Sequence, residues 1–312
     1  MTDTRPLIIY HADEDGFGAA WAAATFMGRE VDLFPAVYNA ENLPDVRGRE
    51  VYLLDICFDL EVMQDLEEKS SNFFVLDHHD KAMKIAKKMP DSSIYTSSTE
   101  SACVMAWKWF NPLWKEGKAD NPEVPWILTY IQDRDLWQWK LEHSKEINAY
   151  IGILPTELDV WTDLIKMSWE EVREAAKVAR QATEAYIRSV LPQARILRVG
   201  GRRVPVINIP YWAVSDVLNV LAERKIHPGA QVGDMWRDVV LEEDDPVAEY
   251  AQNPPFALSW YKTANGGTKY SVRSSENCVT GYAYNVRTFS EKYGGGGHAK
   301  ASGFYLKEGE KL

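Results

Sequence analysis

The sequence predicts an α/β protein with an open parallel sheet in its N-terminal domain, a long connecting helix, and a smaller α/β domain after it. Three observations predict this. Short apolar runs alternate with helix-forming stretches through the first half of the chain, the pattern of a parallel sheet covered on both faces. A run rich in Glu, Ala, Arg and Lys occupies residues 168–190 and is closed by Pro192. Strand patterns then resume at Arg202. The expected boundaries are 1–165 for the first domain, 166–195 for the helix and 196–312 for the second domain.

The elements follow in order. Leu7-Ile8-Ile9-Tyr10 reads as a buried strand ending at His11-Ala12-Asp13-Glu14-Asp15-Gly16. Residues 17–27 are rich in Ala and read as a helix stopped at Gly28. Val51-Tyr52-Leu53-Leu54 is a second strand, ending at Asp55, and residues 72–76 are a third, ending at Asp77-His78-His79-Asp80. Helical periodicity returns over 100–110 and 126–135. In the second half, residues 202–208 read as a strand and 215–224 as a helix. Residues 256–262 and 269–274 read as a hairpin around Ala264-Asn265-Gly266-Gly267. The acidic, proline-containing segment 239–255 reads as a surface loop.

Composition narrows the function. With 46% hydrophobic and 26% charged residues, 312 residues are enough for two cores. No segment approaches the roughly 18 uncharged apolar residues of a membrane span, and the N-terminus has no secretory layout. Cys57, Cys103 and Cys278 are far apart, which points to a reducing cytosol. The net charge of −11 opposes a general grip on long duplex DNA. Small phosphorylated substrates stay compatible with it, because bound metal ions can invert the local field.

Polar residues cluster just past the expected strand ends, where ligands bind in open parallel sheets. His11-x-Asp13-x-Asp15 alternates so that all three can face one pole, with Asp55 and Asp77-His78-His79 on neighbouring strand ends. Brought together with Asp133, the aspartates at 13, 15 and 55 concentrate like charge. Such charges about 4 Å apart repel by roughly 1 kcal/mol even in water-like dielectric, so they demand protons or cations. Two divalent ions cancel four carboxylates; such a pair also activates a water and holds phosphoryl oxygens. Carboxylate and imidazole donors without thiolate favour Mn²⁺, with Mg²⁺ or Co²⁺ as alternatives, over structural Zn²⁺.

These segments, with Asp133-Arg134-Asp135, resemble the four motifs of the DHH phosphoesterase superfamily, which includes RecJ-type exonucleases and nano-RNases. Residues 294–303, Gly-Gly-Gly-Gly-His-Ala-Lys-Ala-Ser-Gly, resemble the DHH-associated C-terminal domain, and Ser271-Val272-Arg273 its Ser-x-Arg element. The resemblance spans residues 11–303. It implies that His11, Asp13 and Asp55 hold one metal. It implies that Asp15, Asp55, His78 and Asp133 hold the second, with Asp135 the alternative to Asp133. Asp55 then bridges and shares the catalytic role with His79, which contacts phosphate or moves a proton. Asp77 orients one of the histidines. Ser271, Arg273, Gly295, Gly296, Gly297 and His298 form the substrate-binding set. The glycines allow close backbone approach to an anion, and Arg273 is a planar bidentate donor.

The expected protein is a cytoplasmic, metal-dependent phosphodiesterase that cuts short single-stranded oligonucleotides or dinucleotides to mononucleotides. Its rivals are a small-nucleotide phosphatase, a cyclic-dinucleotide phosphodiesterase and a non-catalytic nucleotide-binding scaffold. No membrane partner is expected; the oligomeric state is open, with a homodimer among the candidates. Cys57 reads as a small buried apolar residue. The tryptophans at 107, 109, 114, 126, 137 and 139 read as packing residues, with base stacking the rival.

Overall fold

The computed structural model describes residues 5–28, 30–37, 42–115, 123–223, 254–274 and 284–312. Cys278 and the expected loop at 239–255, up to residue 253, lie outside the described residues. By internal packing the chain divides into Met1–Arg180 and Gln181–Leu312. The division falls within a long helix.

The first unit runs β1 (Leu7–His11), α1 (Glu14–Met27), β2 (Asp32–Ala36), β3 (Glu50–Leu54), α2 (Leu60–Lys69), β4 (Asn72–Asp77), α3 (Asp80–Ala86), β5 (Ser93–Thr96), α4 (Ala102–Phe110), α5 (Pro112–Lys115), α6 (Trp126–Asp135), α7 (Ser144–Ile151), α8 (Leu158–Leu164) and the start of α9 (Trp169–Val190). Its sheet has the order β2-β1-β3-β4-β5, with every neighbouring pair parallel. Alternate strand residues feed two cores. Ile8, Tyr10, Leu54 and Phe74 pack with Phe17 and Trp21 of α1 and with α4 and α6. Leu7, Ile9, Leu53 and Val75 pack with Met63 of α2 and Ile85 of α3. Burial on both faces explains why β1, β3 and β4 read as unbroken apolar runs.

The edge strands β2 and β5 carry no such run. Each has one neighbour and stays half exposed, and Pro35 in β2 is tolerated because an edge strand needs fewer ladder bonds. Helix α1 starts at Glu14, earlier than the expected residue 17. Asp13 Oδ1 accepts from the Gly16 backbone N–H at 3.0 Å and caps it, and Gly28 at φ 61° ends it. The chain therefore turns within the first motif. Asp13 is a helix cap and Asp15 lies in the first helical turn, so strand-like alternation does not place them.

The second unit follows the end of α9 with β6 (Arg195–Val199), β7 (Arg202–Asn208), α10 (Val214–Glu223), β8 (Ala257–Lys262), β9 (Thr268–Arg273), α11 (Val286–Glu291), β10 (Gly296–Gly297) and β11 (Ala301–Leu306). Its sheet, β10-β11-β9-β8-β7-β6, is mixed: β7 and β8 are parallel and the other pairs antiparallel. Val217, Leu218 and Leu221 of α10 pack with Ile187 and Val190 of α9. Phe289 of α11 packs with Phe256, Leu258 and Phe304. Among the described residues no helix is long and apolar enough to cross a membrane.

Candidate metal centre

Strands β1, β3 and β4 are adjacent, parallel and in register, with Leu54 beside both Tyr10 and Leu76. Their carboxyl ends therefore emerge together, carrying His11, Asp55 and Asp77-His78-His79. Asp55 leaves β3 at φ 60°, a left-handed conformation that non-glycine residues seldom adopt. Its backbone N–H donates to the Leu76 carbonyl at 2.8 Å, and its side chain is 1% exposed.

Asp55 is the hub of the cluster. Its Oδ2 lies 3.5 Å from His11 Nδ1, and its Oδ1 lies 3.3 Å from His78 Nε2 and 3.6 Å from His79 Nδ1. Asp13 Oδ2 is 2.7 Å from His11 Nδ1. Asp135 Oδ2 is 3.3 Å from His78 Nε2, and Asp15 Oδ2 is 3.8 Å from it. Asp15 is buried, and its oxygens accept from the backbone N–H groups of Ala102 (2.8 Å) and Cys103 (3.0 Å) at the start of α4. Nothing in the sequence pattern pointed to that anchorage. A helix N-terminus is a favourable seat for a carboxylate.

Asp77 is fully buried, and its Oδ1 accepts from both the backbone N–H (2.8 Å) and Nδ1 (2.8 Å) of His79. The histidine it orients is thus His79, whose Nδ1 carries the proton and whose Nε2 is the second ring nitrogen.

The two aspartates of the fourth motif are held differently. Asp133 does not reach the cluster. Its carboxylate accepts from the backbone N–H groups of Lys140 (2.8 Å) and Leu141 (3.3 Å). Asp135 is the residue brought to His78. Residues two apart on a helix point to nearly opposite sides, so only one of the two can face the strand ends.

His11, Asp13 and Asp55 form one group of donor atoms within 4.8 Å of one another, and Asp15, His78 and Asp135 form another. The electrostatics fit cations there. Burial and the nearby Asp55 charge push the Asp15 carboxyl up to about 6. Burial and the Asp15 carboxylate push Asp135 well above the usual range. Burial opposes ionisation of Asp55 too, but the imidazoles of His11 and His78 outweigh it and hold its carboxyl low. Burial would lower the histidines. Their carboxylate partners win instead, raising His78 to about 11 and His79 to about 9. Protons thus supply the positive charge that the donor set demands. Asp55 Oδ1, buried without a hydrogen-bond partner, is a hard oxygen donor suited to a divalent ion.

Cys57 is buried and its thiol is pushed up to about 12, chiefly by burial, which leaves it unfit as a nucleophile. Trp107 stacks on Trp21, Trp109 packs on Phe74 and Tyr95, and Trp126 meets Trp169. These are packing roles. The Trp114 side chain lies outside the described set. Trp137 and Trp139 meet each other in the loop after α6, and Trp137 is 40% exposed.

In the second unit, Gly296 pairs with Gly303 and Gly303 with Ser271, while Gly297 pairs with Ser302. Strand β11 therefore lies between Ser271 and Gly296. A Cβ at Gly295 would fall 2.1 Å from the Gly303 carbonyl oxygen, and one at Gly297 would fall 2.6 Å from that of Ala301. Those glycines serve close strand approach. The His298 backbone N–H closes the turn onto the Ala301 carbonyl at 2.7 Å. Arg273 donates through Nη2 to Ser215 Oγ on α10 at 3.2 Å.

No family model matches the sequence. The chain is 22% identical over 327 residues to an uncharacterized protein of Acanthamoeba polyphaga mimivirus, covering 96% of this chain and 67% of that protein. It superposes on the DHH domain of a protein described as a member of a ribosomal-protein family with a TM-score of 0.57 at 15% identity, covering 98% of this chain and 84% of that one. A pGpG-specific phosphodiesterase from Vibrio cholerae gives a TM-score of 0.45 at 11% identity, over 97% and 94% of the two chains. The chain shares its fold with that DHH domain. Within that fold, the described residues of this chain include neighbouring His/Asp groups able to hold divalent cations.

Proposed function

We propose that this protein hydrolyses phosphodiester bonds in short single-stranded oligonucleotides or dinucleotides, releasing mononucleotides, with two divalent cations, foremost Mn²⁺. One observation carries the reading: the buried Asp55 carboxylate turns one oxygen to His11 and the other to His78, as a ligand shared by two ions must. His11, Asp13 and Asp55 hold the first cation; Asp15, Asp55, His78 and Asp135 hold the second. When bound, the pair activates a water toward phosphorus and neutralises charge developing on the phosphoryl oxygens. His79, aligned by Asp77, contacts a phosphate oxygen or moves a proton through Nε2. Arg273, braced by Ser215, grips a substrate phosphate together with Ser271, His298 and the backbone at Gly295, Gly296 and Gly297. The net charge of −11 supports a short substrate, since affinity for long polymers rests on many phosphate contacts. The free, buried thiols of Cys57 and Cys103 fit a reducing cytosol.

The test is metal analysis followed by incubation with labelled two- to ten-nucleotide RNA and DNA, cyclic dinucleotides and a 3′-phosphorylated adenosine phosphate. The expected result is stoichiometric Mn²⁺ and mononucleotides from the linear oligomers, abolished by a chelator. A protein that retains no metal and cleaves none of these is a scaffold, and the reading fails.

A further inference from the structure

The loop between α6 and α7 is built in a way that packing does not explain. Trp137 and Trp139 have φ of 55° and 52°, a conformation that is an outlier for bulky side chains. Such backbones persist only where the surroundings over-determine them. Here the determinant is Asp133. Its carbonyl oxygen accepts from the backbone N–H groups of Gln138 (2.8 Å) and Trp139 (3.3 Å), and its carboxylate accepts from those of Lys140 (2.8 Å) and Leu141 (3.3 Å). One buried residue thus gathers four consecutive N–H groups. The rings this holds out are not core rings. They meet edge to face at 5.0 Å, Trp137 is 40% exposed, and Lys145 Nζ lies 5.7 Å from the Trp139 ring centre. Trp21 and Trp161, by contrast, are 1% exposed.

The position gives the rings a use. Asp135, two residues before Trp137, lies 3.3 Å from His78, and two residues span at most about 7 Å. We propose that Trp137 and Trp139 form a stacking platform for the nucleobase attached to the scissile phosphate, with Asp133 as the positioning residue that holds it. This rests on the reading of the cluster as a phosphodiesterase centre, and it deepens that reading by giving the site a means to favour nucleotides over other phosphodiesters. Stacking on indole accepts any base, so the platform recognises a base without reading sequence.

The experiment compares wild type with Trp137→Ala, Trp139→Ala and Trp137→Phe on a dinucleotide and on its analogue lacking one base. KM and kcat are measured, and equilibrium binding is followed with the non-hydrolysable phosphorothioate dinucleotide. Each alanine variant should raise KM and Kd for the intact dinucleotide by roughly 5- to 150-fold, with kcat within a few-fold. The analogue missing the stacked base should lose its advantage in wild type and be insensitive to the substitutions. Trp137→Phe, which keeps a ring and guards against misfolding, should recover most of the affinity. Asp133→Asn should shift KM in the same direction as the alanine variants. If wild type cleaves the dinucleotide but the alanine variants leave the intact-to-abasic KM ratio unchanged, the platform is refuted while the phosphodiesterase reading stands. If wild type neither binds nor cleaves the dinucleotide, both fall.

Discussion

Replacing Asp133 and Asp135 by asparagine, one at a time, separates two carboxylates that sit in the same helical turn and do different work. Asp133 is 5% exposed and holds the backbone N–H groups of Lys140 and Leu141. Asparagine keeps one acceptor oxygen and loses the charge and the second bond. A hydrogen bond to a charged group is worth about 1.5–3 kcal/mol, so Asp133→Asn should destabilise the protein by about that amount. For a unit of this size the loss lowers Tm by roughly 3–12 °C. Asp135 faces His78 with its side chain 28% exposed, where an amide of the same shape is readily accommodated. Asp135→Asn should therefore leave the metal-free protein within about 0.5 kcal/mol of wild type. Its cost falls on metal binding. Even indirect partners of a metal ligand change affinity by roughly 10–100-fold, so loss of a direct one should weaken the second cation by about 100-fold or more. Thermal melts with chelator and calorimetric Mn²⁺ titration read the two effects independently. If Asp133→Asn loses a cation while Asp135→Asn keeps both, the assignment of the fourth ligand is wrong.

Asp55→Ala should abolish turnover and reduce bound Mn²⁺ from two to none, measured by metal analysis after gel filtration; normal activity would refute the shared-ligand role. Arg273→Ala should mainly raise KM, whereas a large fall in kcat at unchanged KM would assign Arg273 to the transition state. The metal-free protein should lose stability as pH rises. Raised histidine pKa values contribute stability that is full below about pH 6.5. For His79 it disappears as pH climbs through about 9. Asp15, raised to about 6, acts in the same direction between about pH 4 and 6. Melts with chelator at pH 6 and pH 9 should show the lower Tm at pH 9, and Mn²⁺ should remove most of the difference; equal Tm values with chelator would contradict the proton-for-metal exchange.

What the sequence revealed depended on how each element is buried. Strands β1, β3 and β4 are covered on both faces, so Leu7–Tyr10, Val51–Leu54 and Phe73–Leu76 stand out as apolar runs and their polar ends as candidate ligands. The edge strands β2, β5 and β6 are half exposed and left no run to find. The cluster residues borne by strand ends, His11, Asp55 and His78, were legible because a parallel sheet leaves them no other place to emerge. Those borne by helices were less so. Whether Asp133 or Asp135 faces the site depends on the rotation of α6, which is set by Ile127, Leu128 and Ile131 packing against α1 and α4. That rotation is a tertiary fact which two aspartates in Asp-Arg-Asp do not encode by themselves. The Gly-Gly-Gly-Gly segment was legible as special, and at Gly295 and Gly297 the structure adds a packing reason for glycine, the close approach of neighbouring backbone.

Four of the buried or half-buried aspartates around the histidines differ in what already satisfies them, and the difference ranks their need for a cation. Asp15 has two helix N–H groups, Asp77 has two nitrogens of His79, and Asp13 has the Gly16 N–H besides His11. Asp55, 1% exposed, has, among the described residues, imidazoles before its oxygens. In the metal-free protein those rings must carry protons to balance it. Divalent cations held by Asp55 and the rings would supply that charge instead and displace the protons, because a ligating imidazole is neutral. Loss of Asp15 would remove a ligand and also strip the N-terminus of α4 of its acceptor, mixing a binding defect with a folding one. Among the described residues, the Asp55 side chain makes no backbone hydrogen bond that its loss would remove. Its effect on metal binding is therefore the cleanest measure of what the cluster is for.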